Sequence, residues 1–138
     1  PEQLGAVGAK IAELAAQHSR SIKSLTLLNV IAAPTDAEAE AEKNRYLEQR
    51  DEVAIKEWMR VSGMDKNRID YLHLDPEPAT FMSVPYIVGS YERVAAHLDA
   101  LAENGLSGVC LSFPDFASDV PDFIANVMPL MASRKIPH

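Results

Sequence analysis

Cysteine is almost missing from this sequence: Cys110 is the only one in 138 residues. An internal disulfide is therefore impossible, and the chain suits a reducing compartment, which we read as cytoplasmic. Cys110 sits in an apolar run, where a small buried thiol is expected rather than a reactive nucleophile. Basic charge is also short, with 13 Lys and Arg against 20 Asp and Glu and a net charge of −7. The basic residues are scattered, and Arg20 with Lys23 or Arg134 with Lys135 are no more than local pairs. A phosphate-backbone footprint needs them clustered, so no nucleic acid is expected as a partner. No stretch nears the ~18 consecutive apolar residues of a membrane span and no signal peptide is visible, so no membrane partner is expected either. Only six glycines are present, and none forms a glycine-rich fingerprint behind an apolar run. That absence argues against a dinucleotide-binding fold. The first residue is Pro1 rather than Met, from which it is expected that further sequence lies upstream or was removed.

What is present reads as an ordinary globular domain, 47% hydrophobic and 24% charged. Leu4, Val7, Ile11 and Leu14 recur at helical spacing and predict one apolar stripe. The run LTLLNVIAA (25–33) is apolar on both faces, as in a parallel strand covered by helices. Thr35 and Glu38 have the spacing of a capping box, and a helix carrying Tyr46, Leu47, Ala54, Ile55 and Trp58 is predicted to continue to about Arg60. Residues 62–83 lose periodicity and contain Pro76 and Pro78, which predicts an irregular insertion loop and a possible lid. A short strand follows at 84–88, then a helix capped by Ser90, carrying Val94, Leu98 and Leu101, and ended at Asn104–Gly105. A third apolar run, 106–113, precedes a helix that Asp119 is placed to cap, with Pro129 kinking or restarting it.

Helix-separated strands of this kind predict parallel βαβ crossovers. Three such strands leave two open edges, whereas a (β/α)₈ barrel closes its sheet over roughly 250 residues. The expected fold class is therefore α/β: three βα units of a (β/α)₈ TIM barrel, with parallel strands and helices outside. Residues 1–138 would be the C-terminal portion of a single barrel domain.

Four motifs carry a resemblance. The stretch YIVGSYERVA (86–95) resembles the seventh-strand signature of the bacterial-luciferase-like flavin-dependent monooxygenases, GVCLSF (108–113) their eighth strand, and MPLM (128–131) their last helix. VIAAPTDAEA (30–39) resembles their sixth strand with its threonine–aspartate helix start. VGSY (88–91), FPDF (113–116) and PLM (129–131) are most similar to the pyrimidine (uracil) monooxygenase branch. The resemblance implies insertion of oxygen from O₂ into a small organic substrate, here a pyrimidine-type amide. It also implies reduced FMN delivered by a separate flavin reductase. Flavin contacts in the family come mostly from the first five strands, so the catalytic residues are expected upstream and this fragment is expected to bind no FMN alone.

The barrel's active face lies at the C-terminal strand ends, so Phe113 and Asp115 are the candidates for lining a substrate pocket. Sulfonate-oxidising relatives carry a tyrosine where Phe113 aligns, which argues against sulfonate chemistry. The plainer readings are that Phe113 plugs the barrel end and Asp115 turns the loop. Gly89–Ser90 could hold an anion at a helix N-terminus, but a helix cap is the favoured reading. His73, Asp75 and Glu77 match no named metal motif, and no metal is expected. His97 is expected on an exposed helix face, and Trp58 in a core or at a subunit interface. Two alternatives stay open: a coenzyme F420-dependent oxidoreductase of the same superfamily, and a non-catalytic α/β interaction module. An arc of barrel exposes apolar strands, so a homo-oligomer or association with the rest of a parent chain is expected.

Overall fold

The computed structural model describes residues 1–62, 77, 80–82 and 84–135. Its centre is β1 (Leu25–Ala33), flanked by β2 (Tyr86–Ser90) on one side and β3 (Gly108–Ser112) on the other. Both pairings are parallel, as apolar strands separated by helices require. β2 lies along the second half of β1, from Asn29 opposite Tyr86 to Ala33 opposite Ser90. β3 lies along the first half, from Leu25 opposite Gly108 to Asn29 opposite Ser112. Asn29 alone has a register partner on both sides.

This order corrects one expectation. Three successive barrel units would place the second strand between the first and third, whereas here the first strand is central. β1 has nine residues, so each five-residue neighbour can use a different half of it.

Side chains alternate across a strand, so the sheet has two faces of different fate. Leu28, Val30 and Ile87 join Val94, Leu98 and Leu101 of α4 (Tyr91–Glu103), and Phe113, Phe123 and Val127, in one core. The other face, over the first half of β1, is uncovered: Leu25 is 68% and Leu27 43% exposed. Cys110, the register partner of Leu27, is exposed with them. The expected buried thiol is thus corrected, because nothing among the described residues covers this face.

The helices obey their local signals with some shifts. α1 (Glu2–Gln17) carries the predicted stripe, but Leu4, Val7, Ile11 and Leu14 are exposed and the helix meets α4 at Gly5 instead. A Cβ on Gly5 would stand 2.6 Å from the Asn104 carbonyl oxygen. α2 (Asp36–Glu48) begins as predicted: Thr35 Oγ1 accepts from the Glu38 amide at 3.2 Å and donates to its carboxylate at 2.8 Å. The single long helix is interrupted, since Asp51 accepts from the Val53 and Ala54 amides and starts α3 (Glu52–Ser62) afresh. α5 (Phe116–Asp122) starts earlier than expected, with Asp115 as its cap rather than Asp119. A π-helical turn (Phe123–Val127) and a 3₁₀ turn (Met128–Leu130) follow, and Pro129 sits where the helical pattern changes. No helix among the described residues is long and apolar enough to cross a membrane. Most of the insertion at 62–83, and with it the expected lid, lies outside the described residues; Phe81 within it is buried against the Tyr86 ring, at 5.0 Å between centroids.

Candidate functional site

Parallel strands deliver their C-terminal ends to one side of the sheet, and an open cavity of about 440 Å³ lies there, a size that suits a small organic molecule. Asn29 of β1 and Ser112, Phe113 and Pro114 at the end of β3 form one wall. Arg45, Tyr46, Gln49 and Arg50, at and beyond the end of α2, form a second, and Thr80, Phe81 and Met82 a third. Phe113 is buried and packs edge-on against Phe123 and Phe116, with centroids 5.4 and 5.8 Å apart. It therefore both closes the core and faces the cavity.

Asn29 is the unusual member. It is only 6% exposed, yet its Oδ1 has no hydrogen-bond partner among the described residues. Such an atom is costly to bury. Two arginines line the same cavity, and Arg50 donates to the Leu47 carbonyl oxygen at 2.8 Å and lies 3.5 Å from Glu52. Arg45 is held by Glu42, which accepts from its Nε at 2.8 Å and from an Nη, and its guanidinium lies 4.6 Å from the centre of the Tyr46 ring. The same Arg45 contact holds the Glu42 carboxyl below its usual range. Burial, reinforced by the charges of Asp119 and Glu42, pushes the Tyr46 phenol up to about 12. Tyr46 therefore keeps its proton at any ordinary pH.

Asp115 is exposed, and its carboxylate accepts from the Ala117 amide at 2.9 Å. That bond first, and the Ser118 hydroxyl second, hold its pKa low. Its own amide donates to Asp119 at 3.0 Å, so the two aspartates close the start of α5 reciprocally. Asp115 caps the helix behind Pro114, while Phe113 and Pro114 line the cavity itself.

A flavin phosphate would need free helix-start amides or a basic cradle. Each of the three strand-to-helix turns already holds a carboxylate. Glu38 sits at Thr35, Asp115 and Asp119 close α5, and at Ser90 the backbone amide donates to Asp36 Oδ1 at 2.7 Å. Ser90 Oγ in turn accepts from the Arg93 amide at 3.3 Å, as a plain cap. The described residues therefore do not fit the flavin phosphate.

Among the other candidates, Glu77 accepts from the Tyr86 hydroxyl and lies 3.7 Å from Lys43, an electrostatic rather than a ligating role. His73 and Asp75 lie outside the described residues, among which no cluster of potential metal ligands occurs. His97 is half-buried rather than exposed, and burial, with a lesser push from the Pro1 ammonium, lowers its pKa. Trp58 is half-buried on α3. Sequence reading missed Asn29, Arg45 and Tyr46. One signal for Asn29 was available: it is the only amide in the run LTLLNVIAA. Nothing local marks Arg45, because its position at the cavity depends on how α2 crosses the strand ends.

A second, mostly apolar groove of about 570 Å³ follows β3, between Leu98, Leu106, Val109 and Leu111 on one side and Met128 and Met131 on the other. It runs beside the strand edge that no described strand occupies.

No family model matches the chain. It is 35% identical over 141 residues to the pyrimidine monooxygenase RutA of Acinetobacter baylyi, a match over 98% of this chain and 38% of the relative. The protein of that name from Caulobacter vibrioides is 32% identical, over 98% of this chain and 40% of its own length. That from Agrobacterium fabrum is 38% identical over 125 residues, 84% of this chain and 33% of the relative. The chain thus spans about two fifths or less of the relatives it matches. In fold it is similar to the crystal structure of DmoA from Hyphomicrobium sulfonivorans, with a TM-score of 0.77 at 22% identity, over 99% of this chain and 36% of that one.

Proposed function

We propose that the chain is the C-terminal part of a luciferase-like monooxygenase, a reading supported by its match to the pyrimidine monooxygenases, and that it forms the substrate-facing wall of a flavin-dependent enzyme. The observation that carries this reading is the cavity at the strand ends, lined by Phe113 and Pro114 where barrel enzymes place their chemistry. In this reading the substrate is a small pyrimidine-type amide, and reduced FMN from a separate reductase supplies the activation of O₂ when bound. The flavin is held by residues outside this chain, in keeping with the three occupied helix starts. Phe113 packs against the substrate, and Asp115 fixes the turn that presents Phe113 and Pro114. Residues 1–138 belong to one barrel domain, whose remaining strands cover Leu25, Leu27 and Cys110 and fill the groove beside β3.

The relatives' name favours an oxygenase over the F420-dependent oxidoreductase and over a non-catalytic module. The test is a graft in which this chain replaces the matching segment of the Acinetobacter relative. With reduced FMN and O₂, the graft is expected to consume uracil. A graft that folds and binds flavin like the relative but consumes no uracil refutes the reading. The isolated chain is expected to bind no FMN; saturable fluorescence quenching at micromolar flavin would place a flavin site within it.

A further inference from the structure

We infer that Asn29 selects the substrate, its Oδ1 accepting the N–H of a ring amide bound in the cavity beside Ser112 and Phe113; this rests on the oxygenase reading above. Three observations converge on it. The residue is more than nine-tenths buried and lines the cavity, and its Oδ1 has no partner among the described residues. On its own face of the strand the next residue is Ile31, 4% exposed, so an apolar residue would suit this position better than an amide does. A buried acceptor left open at a cavity wall is satisfied when a ligand brings a donor.

The other walls suit the rest of such a ligand. Phe113 and Phe81 offer apolar surface to a flat ring. Ser112, the register partner of Asn29, adds a hydroxyl that can donate or accept. Arg45 and Arg50 border the same cavity, Arg45 paired with Glu42 and Arg50 with Glu52. A ring with adjacent N–H and C=O groups matches this pattern. A ring whose nitrogens are methylated leaves Oδ1 unpaired, and a site built around a hydrogen bond rejects a ligand that lacks it.

The test uses the 138-residue chain labelled with ¹⁵N, titrated with uracil and with 1,3-dimethyluracil. Uracil is expected to move the Asn29 side-chain and the Ser112 and Phe113 amide resonances, and to bind about ten-fold or more tighter than the dimethyl analogue. Asn29→Leu is expected to erase that preference, and Asn29→Asp, which keeps an acceptor, to retain one. Equal binding of the two ligands by the natural chain, a preference that survives in Asn29→Leu, or no response of the cavity residues to millimolar uracil overturns the inference. If Asn29→Leu does not fold, the comparison of the two ligands on the natural chain still decides. Binding needs neither flavin nor O₂, so failures separate. A graft that oxidises uracil while the chain treats both ligands alike refutes the role of Asn29 alone. A chain that discriminates while the graft oxidises nothing refutes the oxygenase reading alone.

Discussion

Replacing Asn29 with leucine should make the chain more stable. Oδ1 is buried without a partner among the described residues, and Ile31, next on the same face of the strand, is 4% exposed. An unsatisfied buried polar atom costs about 1–3 kcal/mol. Leucine branches at Cγ as asparagine does, removes the orphan atom, and can extend its extra bulk into the adjoining cavity. The expected gain is about 1–3 kcal/mol, which for a chain of this size corresponds to roughly 3–10 °C in Tm. Thermal and urea denaturation followed by circular dichroism would measure it, with the urea slope unchanged so that the shift reports stability alone. Asn29→Ala provides the contrast, because it removes the orphan but leaves a void, and should gain less. An Asn29→Leu variant that is equally or less stable would mean that Oδ1 already has a partner in solution, and both the energetic reasoning and the vacancy for a ligand donor would fall with it. A stabilised variant would mark Asn29 as a residue kept at a cost to the fold, a frequent property of binding sites.

Gly5→Ala should destabilise the chain by about 1–3 kcal/mol in urea denaturation, although alanine is the better helix former, because its Cβ would meet the Asn104 carbonyl oxygen at 2.6 Å; a gain would show that α1 docks elsewhere. Asp36→Ala should cost about 1 kcal/mol, since Asp36 ties the start of α2 to the Ser90 amide, whereas its exposed ion pair with Arg93 at 3.5 Å adds little; unchanged stability would refute the tie. For His97, burial lowers the folded-state pKa below the ordinary 6.5. The unfolded chain therefore takes up the proton first as pH falls. Stability should be full above 6.5 and decline as pH drops through that value toward the lower folded one. Denaturation at about pH 7.5 and about pH 5.5 should show this decline in the natural chain and a smaller one in His97→Gln, and equal declines would refute it.

Local structure was legible because its causes are local. Thr35 and Ser90 announce helix starts through hydrogen bonds that span three residues, and the apolar runs around Val30 and Val109 declare parallel strands because both faces must leave water. Phe113 could be placed at a strand end, and so at the cavity, from its position as the last residue of the final apolar run. Tertiary structure decided the rest. That β1 is central follows from which edges meet after a long crossover, and no local pattern encodes that choice. Cys110 and the α1 stripe look like core by composition, yet burial depends on what lies across from a face, and the described residues leave both uncovered. Only the fold brings Arg45 and Tyr46 to the cavity that Asn29 and Phe113 share. A single amide in an apolar strand thus becomes a binding-site candidate only once its unpaired oxygen and the cavity beside it are seen together.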